Sequence, residues 1–263
     1  MFMRDRISTL FFVLFIGCGS SSNAPPASPA SPVASAPAPA PAPESPPAAA
    51  EQSTPSVSPG INARYQTEDG RALSVKVFED PERAAYQKPD DLMKNLGIKP
   101  GDAVADVAAG TGYMATRLSA AVGPHGKVYE EDVQDEFLQL ARDKVTQNKL
   151  TNVDVVLGDG HNTKLPAGCC DLVIVLDAYH HFEWPGDMLA SIAKAMKPNG
   201  RLIIVEFPKK PNPVFTKAKI DYEKHIRLDY DGVLSELDHY GWRHVETKDF
   251  LPYQYFAVFT LKQ

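Results

Sequence analysis

Two hydrophobic periods alternate along the chain from residue 89 onward. Short apolar runs predict β-strands, and the segments between them carry apolar residues every three or four positions, which is typical of amphipathic helices. The predicted strands are residues 102–107, 127–129, 153–157, 171–176 and 201–207. The predicted helices are residues 89–96, 113–122, 136–148, 188–196 and 230–239. This alternation predicts an α/β protein.

Two further strands complete the pattern near the end of the chain. Residues 242–250 and 253–261 are neighbours in sequence and predict an antiparallel hairpin. Residues 171–176 are nearly all β-branched or aliphatic, as in a parallel strand covered on both faces. We therefore predict one doubly wound, Rossmann-like α/β domain whose seven-stranded sheet is mostly parallel and ends in an antiparallel C-terminal hairpin.

The composition changes before residue 60. Residues 24–59 hold 12 of the 23 prolines and 11 alanines, with no aromatic residue and two charges, Glu44 and Glu51. Such a segment buries too little apolar surface to offset the entropy cost of ordering it. The sequence therefore predicts a disordered Pro/Ala-rich linker over residues 19–60 and a folded domain over residues 61–263.

The first 18 residues have the pattern of an export signal. Arg4 and Arg6 precede an uncharged eleven-residue run over residues 7–17, which is shorter than the about 20 residues that span a bilayer. The small-residue site that ends at Cys18 resembles a bacterial lipobox, with Phe15 where leucine is usual. This resemblance predicts a signal peptide over residues 1–18 and lipidation of Cys18.

A lipidated Cys18 implies attachment of the protein to a membrane of the bacterial cell envelope. Gly19 stands where an aspartate commonly retains lipoproteins at the inner membrane, so the outer membrane is favoured. The alternative is a cytoplasmic protein whose first residues are not a signal.

The charge balance and the cysteines exclude two classes of function. Residues 61–263 contain 25 Lys and Arg against 30 Asp and Glu, a net charge of −5. This balance disfavours binding of nucleic acid through phosphate neutralisation. Three cysteines are too few for a disulfide scaffold or a Cys-rich zinc site. The expected partner is a small-molecule substrate.

Chemistry-bearing residues cluster where the predicted strands end, and ligands bind at that edge of an open parallel sheet. The first end is the run Asp106-Val107-Ala108-Ala109-Gly110-Thr111-Gly112, whose glycines let the backbone approach a ligand closely. Asp132 closes the second strand, where a carboxylate can accept hydrogen bonds from a ribose diol. These two features also fit a dinucleotide site. Asp159 and Gly160 follow the third strand, where a carboxylate can accept from an adenine amine.

These residues resemble the motifs of class I S-adenosylmethionine-dependent methyltransferases over residues 78–259. Ala108 stands at the first glycine of the family's first motif, and the segments 171–181 and 189–202 resemble those of its quinone-biosynthesis group. Residues 80–89 and 251–256 resemble a bacterial group of predicted methyltransferases. The resemblance implies S-adenosylmethionine as the cofactor. The resemblance implies cofactor binding by Asp106, Ala108, Gly110, Gly112, Asp132 and Asp159, and Gly160 and Asp177 are added as candidates from their positions after predicted strands.

An activated methyl group requires mainly alignment and exclusion of water, and a base helps when the acceptor is a hydroxyl or an activated carbon. His180 is the first candidate for that base, followed by His181 and Tyr179, with Glu206 in reserve. Adjacent residues on extended backbone point to opposite faces, so the two histidines are not expected to share a metal, and no metal is predicted.

Tyr65, His225 and Arg227 lie in segments that flank the predicted core, where parts that cap a substrate belong. The leading hypothesis is an enzyme that transfers a methyl group to a small or lipophilic acceptor. One alternative is a non-catalytic module of the envelope that binds an adenosyl ligand. The other is a nicotinamide-dependent oxidoreductase, for which the sequence offers no recognisable hydride-transfer site.

Overall fold

The computed structural model of the chain describes residues 54–263. The predicted signal peptide, Cys18 and most of the predicted linker therefore lie outside the described residues. Within residues 54–263, none of the helices has the length and apolar character that crossing a membrane requires.

Helices and strands alternate through the described residues, as the hydrophobic pattern predicts. The helices are α1 (Glu68–Phe78), α2 (Arg83–Gln87), α3 (Pro89–Leu96), α4 (Ala115–Val122), α5 (Asp135–Gln147), α6 (Pro185–Ala195), α7 (Pro213–Ala218), α8 (Tyr222–His225) and α9 (Tyr230–His239). The strands are β1 (Ala103–Val107), β2 (Lys127–Asp132), β3 (Val153–Leu157), β4 (Cys170–Leu176), β5 (Met196–Glu206), β6 (Trp242–Lys248) and β7 (Tyr255–Leu261). Short 3-10 helices at Ala63–Gln66 and Tyr179–His181 precede α1 and α6.

The strands of residues 54–263 form a seven-stranded sheet in the order β3-β2-β1-β4-β5-β7-β6. Strands β1 to β5 pair in parallel, and β7 runs antiparallel to both β5 and β6. The predicted fold class, a mostly parallel doubly wound sheet with an antiparallel C-terminal hairpin, is confirmed. The strand order reverses between β1 and β4, which is where an open α/β sheet binds its ligand.

The central strand β4 is buried on both faces, as its apolar run predicts. Leu172 packs on one face in a cluster with Leu118 of α4, and Val173 packs on the other face with Ile192 of α6. All four side chains are fully buried. Burial of an aliphatic side chain stabilises a fold by about 1.5–3 kcal/mol, so the two helical layers hold β4 and its carboxyl end rigidly.

Strand β2 extends beyond the predicted residues 127–129, and that prediction was too short. It runs to Asp132, and Glu130 lies in register between Asp106 of β1 and Val155 of β3. Glu130 and Glu131 are 0% and 1% exposed. A run of carboxylates disfavours a strand because burying charge is costly, so the sequence pattern ended the strand before them.

Four helices were not predicted from the sequence: α1, which has 11 residues, and the short helices α2, α7 and α8. Helices α2, α7 and α8 have five, six and four residues, too few to show a periodic pattern. Side-chain caps begin several of them: Thr67, Asn212 and Asp221 each accept a hydrogen bond from a backbone N–H of the helix that follows. Together these helices cover the carboxyl ends of the strands.

The stretch before α1 lies against the loop that precedes α6. The backbone N–H of Val57 donates to the carbonyl of Glu183 at 2.9 Å, and the hydroxyl of Ser56 donates to the Glu183 carboxylate at 2.8 Å. The indole N–H of Trp184 donates to the carbonyl of Thr54 at 2.7 Å. The last residues of the predicted linker are therefore hydrogen-bonded to the domain.

Candidate active site

A cavity of about 210 Å³ opens at the carboxyl ends of β1, β2 and β4, beside the reversal of strand order. Two sets of ionisable side chains line it. The acidic group consists of Asp106, Glu131, Asp132 and Asp177. The histidine group consists of His180, His181 and His225. Aromatic and aliphatic side chains complete the wall around the histidines, namely Phe182, Phe207, Val214, Phe215 and Ile220.

The turn after β1 joins the ends of β1 and β2. The backbone N–H of Ala109 donates to the carbonyl of Glu131 at 2.8 Å, and the N–H of Gly110 donates to the Asp132 carboxylate at 2.9 Å. Gly110 has φ +58°, and a Cβ there would lie 3.4 Å from the ring of Phe78. Glycine is therefore favoured at this position by its left-handed conformation, whereas a Cβ would only reach ordinary van der Waals contact with Phe78.

Ala108 adopts the left-handed conformation that normally selects glycine. Its φ is +59°, and its Cβ makes that region unfavourable by about 1–2 kcal/mol. Ala108 occupies the position of the first glycine in the motif that it resembles. The backbone thus has the conformation of a glycine turn, although the side chain is not glycine.

The acidic group is buried where the turn meets the sheet. Asp106 and Asp132 are 3% and 7% exposed. Burial raises the pKa of Asp106 to about 7. Burial also raises the pKa of Asp132 to about 6, although hydrogen bonds from the N–H groups of Gln134 and Gly110 act in the opposite direction. Burial also raises the pKa of Glu131 well above its usual value. Within the described residues, Asp106 Oδ1 and Glu131 Oε1 have no hydrogen-bond partner.

Asp177 and Arg83 form the mixed-charge edge of the acidic group. Asp177 follows β4 with φ +56°, and its carboxylate lies 3.7 Å from the Arg83 guanidinium and accepts a hydrogen bond from the Gln254 amide. Burial raises the pKa of Asp177 to about 7 despite the nearby Arg83 charge. Arg83 also lies 4.0 Å from the centroid of the Tyr113 ring. Arg83 was not predicted as a site residue, and it lies in helix α2, which was not predicted either.

The residues present fit a cationic adenosyl ligand. S-adenosylmethionine carries a sulfonium and an ammonium group, and the unpartnered oxygens of Asp106 and Glu131 are acceptors already buried at the cavity. Asp132 and Glu131 would hold the ribose side, and the Arg83–Asp177 edge offers a partner of each sign for the amino-acid end. A nicotinamide dinucleotide would instead bring a doubly negative pyrophosphate against the acidic group, which disfavours that alternative.

Of the two candidate residues after the third predicted strand, Gly160 lies at the cavity and Asp159 is exposed to solvent. Gly160 lines the cavity beside the ring of Trp184. A Cβ at this position would lie 2.8 Å from the indole carbon Cζ3, so the indole leaves no room for a side chain. Asp159 does not line the cavity: its side chain is 49% exposed, accepts from the N–H of His161 and pairs with Lys164 at 3.2 Å. Hydrogen bonds and the Lys164 charge lower the pKa of Asp159.

The histidine group gathers residues that are distant in sequence. His180 Nδ1 lies 2.7 Å from the Glu206 carboxylate, and His180 Nε2 lies 3.1 Å from His225 Nε2. The rings of His180 and His181 are 4.1 Å apart between centroids. Tyr179–His181 is a 3-10 turn, so the expectation of extended backbone with opposed side chains was wrong at this pair. Burial lowers the pKa of His225 to about 3 and that of His181 well below its usual value.

Tyr179 and Arg227 lie outside this wall. The Tyr179 hydroxyl donates to the Glu236 carboxylate at 2.6 Å, and Arg227 pairs with the same carboxylate at 2.6 Å. Tyr179 packs in the apolar core with Trp242, and neither Tyr179 nor Arg227 lines the cavity. The structure therefore brings His180, His181, His225 and Tyr65 together but leaves Tyr179 and Arg227 apart.

The sheet order, the glycine-type turn after β1 and the acids at the strand ends define the fold and site of class I S-adenosylmethionine-dependent methyltransferases. A solved S-adenosylmethionine-dependent methyltransferase from Aquifex aeolicus has the same fold, with a TM-score of 0.65 and 27% identity. The match covers 71% of this chain and 96% of that one. The pattern of the ubiE/COQ5 methyltransferase family matches residues 84–259, and the chain belongs to that family.

Two curated relatives carry the name ubiquinone/menaquinone biosynthesis C-methyltransferase UbiE. The protein from Ectopseudomonas mendocina (strain ymp) is 32% identical over 127 residues, which are 48% of this chain and 50% of that protein. The protein from Pseudomonas putida (strain W619) is 32% identical over 123 residues, which are 46% of this chain and 48% of that protein. The chain thus spans about half the length of the curated relatives that it matches.

Proposed function

We propose that this protein transfers a methyl group from S-adenosylmethionine to a small, lipophilic acceptor. The observation that carries this proposal is the acidic group: buried carboxylates with unpartnered oxygens face a cavity at the reversal of strand order. A ligand that brings hydrogen-bond donors or positive charge gives such carboxylates the partners that they lack within residues 54–263, which an anionic ligand does not.

Bound S-adenosylmethionine supplies a methyl group that is already activated on a sulfonium. The acidic group and the turn at Gly110 would hold the cofactor, since both are fixed by strand ends rather than by free loops. Phe78 and Phe137 meet edge to face at 5.3 Å between ring centroids and close the wall above Gly110. With the cofactor bound, this aromatic wall would help to exclude water from the transfer path.

The lipophilic acceptor is inferred from the wall around the histidine group. Phe207 and Phe215 pack at 4.9 Å between ring centroids, and Phe215 lies 6.2 Å from His225. Both phenylalanines line the cavity, together with Val214 and Ile220. An apolar wall with few polar groups binds a ring or a chain rather than a sugar or a phosphate. The names of the two curated relatives, which act in quinone biosynthesis, support a hydroxylated ring whose carbon is methylated.

The histidine group faces this apolar wall, so it is where the acceptor's reacting atom lies. A proton lost on methylation can leave there, or a developing oxyanion can be stabilised there. His180 is held in place by Glu206, a buried carboxylate that accepts from its ring nitrogen at 2.7 Å. His180 is buried together with this carboxylate partner, whereas a histidine such as His244 is exposed.

Binding distinguishes the proposed function from its alternatives. Trp184 lines the cavity, whereas Trp242 is buried in the core and provides a constant background. Titration with S-adenosylmethionine, S-adenosylhomocysteine and NAD⁺ should change Trp184 fluorescence for the first two ligands only. Binding of NAD⁺ with no response to either adenosyl ligand would overturn the proposal. Adenosyl binding without methyl transfer would leave the non-catalytic binding module.

We also propose that the protein is a lipoprotein of the bacterial cell envelope. The support is the sequence pattern of residues 1–18 with Cys18, followed by the Pro/Ala-rich residues 24–59. An anchored enzyme would need such a spacer to reach a lipophilic acceptor near a membrane. Incorporation of labelled palmitate into the wild-type protein is the direct test.

A further inference from the structure

The histidine group has the composition of a metal site. One ring nitrogen from each of His180, His181 and His225 lies within 4.8 Å of the others, in the part of the chain that the structure describes. Neutral imidazole nitrogens are the commonest protein ligands of divalent transition metals, and three of them with an open position form a known type of zinc centre.

We propose that His180, His181 and His225 bind a divalent transition metal ion, with Zn²⁺ as the first candidate, at the acceptor end of the cavity. This metal site is part of the site already proposed for methyl transfer. The role of the metal rests on that proposed function, whereas the arrangement of the three histidines does not depend on it.

The ring distances suit a metal. Two nitrogens bound to a tetrahedral zinc at about 2.0–2.1 Å are about 3.3 Å apart. His180 Nε2 and His225 Nε2 are 3.1 Å apart, so a small outward movement of either ring admits an ion between them. His225 lies on the four-residue helix α8 at the cavity wall, a short element that can move by this amount.

Outer contacts already orient two of the rings. The Glu206 carboxylate lies 2.7 Å from His180 Nδ1, so in the neutral imidazole Nδ1 carries the proton and Nε2, which lies 3.1 Å from His225 Nε2, is the ligand atom. The amide oxygen of Asn62 lies 2.9 Å from His181 Nδ1 and in the same way favours Nε2 of His181 as the ligand. A carboxylate or carbonyl behind each ligating histidine is the usual arrangement around protein-bound zinc.

Glu206 provides a second, independent observation. It is 1% exposed, and its hydrogen bonds within residues 54–263 come from N–H groups of His180 and Phe207, without a lysine or arginine partner. A buried carboxylate is unfavourable unless a positive charge lies nearby. A divalent ion on the far side of the His180 ring supplies that charge.

The side chain of Tyr65 must move before a metal ion can bind His181. Its hydroxyl lies 3.2 Å from His181 Nε2, at the nitrogen that the proposal assigns to the metal. The ion would replace this contact, so Tyr65 is a competitor of the metal rather than a ligand. The remaining position of the ion would be open to the cavity, whose wall there is apolar, and an acceptor hydroxyl could bind the ion through its oxygen.

The test uses the full chain, stripped of metal with a chelator and titrated with Co²⁺ as a spectroscopic probe. The proposal predicts one equivalent of Co²⁺ with the intense visible absorption of a four-coordinate ion, displaced by Zn²⁺. His180→Gln and His225→Gln should each weaken Co²⁺ binding at least tenfold. Tyr65→Phe should bind Co²⁺ as well as the wild type or better. His244→Gln is the matched control, because His244 is exposed and outside the cavity.

Two readouts keep the test decisive. Paramagnetically shifted imidazole resonances of the Co²⁺ protein count the ligating histidines without any variant, and fewer than three would overturn the proposal. Weak, six-coordinate Co²⁺ binding that His225→Gln leaves unchanged would also overturn it. S-adenosylhomocysteine affinity is measured on the same samples. Retained adenosyl binding without a metal refutes this inference alone, whereas metal binding without adenosyl affinity refutes the proposed cofactor alone.

Discussion

Ala108 has a left-handed backbone conformation within the turn that lines the cavity. A non-glycine residue in this region stores strain that the surrounding contacts must hold in place. Here the hydrogen bonds of the next two residues, Ala109 to Glu131 and Gly110 to Asp132, fix the turn. The side chain at position 108 therefore opposes the conformation that the site requires.

Ala108→Gly should raise the free energy of unfolding by about 0.5–1 kcal/mol. The gain is the relieved strain at φ +59°, reduced by the larger unfolded-state entropy of glycine. Ala109→Gly is the matched control and should destabilise, because Ala109 is not among the residues with positive φ. Chemical denaturation of both variants measures the two values. Destabilisation by Ala108→Gly would show that its methyl group is a packed part of the site.

Asp132→Ala should weaken S-adenosylhomocysteine binding at least tenfold. Charge-assisted hydrogen bonds to a ribose diol contribute about 1.5–3 kcal/mol each, and the Gly110 N–H also loses its acceptor. Asp159→Ala should change the affinity less than threefold, because that carboxylate is exposed and pairs with Lys164. Titration calorimetry measures both affinities. A larger loss for Asp159→Ala than for Asp132→Ala would reverse the two assignments.

At the scale of elements, the ends of β1 and β2 bring carboxylates close together. Strand packing alone does not favour such buried, neighbouring carboxylates. Asp106 pairs in register with Glu130, and both are buried. Burial raises the pKa of each of them. Burying these carboxyl groups at the binding edge lowers the stability of the ligand-free sheet, and a cationic ligand would offset this loss.

The pH dependence follows from these raised pKa values. The pKa of Asp106 rises from 3.8 to about 7 and that of Asp132 from 3.8 to about 6. The folded protein therefore binds more protons than the unfolded chain between about pH 4 and pH 7, and the stability of the ligand-free protein falls as the pH rises through that window. Affinity for S-adenosylmethionine should rise over pH 5.5–7.5, since the ionised carboxylates attract its cation. Melting curves with and without ligand measure both trends, and affinity that falls with pH would contradict them.

Elements with long, regular patterns were predictable, and those without them were not. The apolar runs at β1, β3, β4 and β5 and the spacing of α3, α5 and α9 predicted the mostly parallel, doubly wound sheet and a ligand site at its strand ends. The acids of β2 hide the end of that strand, and helices of four to six residues carry no period.

The same limit applies to the site. Asp106, Gly110, Asp132 and His180 follow from their places at strand ends. Arg83 was not identified from the sequence, and His225 was noted only for its flanking position. Both reach the cavity through the short helices α2 and α8, whose placement depends on tertiary packing.

At the scale of the whole molecule, an anchor, a spacer and a catalytic domain form one proposed arrangement. Two or more acyl chains hold a protein stably at a membrane, whereas one chain holds it marginally. Because residues 54–263 contain the sheet and the cavity, loss of the anchor should leave the domain folded.

Cys18→Ser should release the protein from the membrane fraction and leave an uncleaved signal. Mass spectrometry should then show a polypeptide that includes residues 1–17, and circular dichroism should show an unchanged fold. Cys169→Ser is the matched control, since Cys169 lies before β4 inside the domain and should not affect fractionation. Wild-type protein recovered from the cytoplasm with Met1 and no lipid would refute the anchor.

Methyl transfer itself tests the central claim most directly. Purified full-length protein is incubated with methyl-labelled S-adenosylmethionine and either a bacterial membrane lipid extract or a panel of ring-hydroxylated quinols. The account predicts label in the organic phase, abolished by excess S-adenosylhomocysteine and lowered by about 10²–10⁴ in His180→Gln, the variant that lacks the imidazole facing the acceptor. Tight S-adenosylhomocysteine binding with no label transferred to any of these acceptors would contradict the account and leave a protein that binds the cofactor without using it.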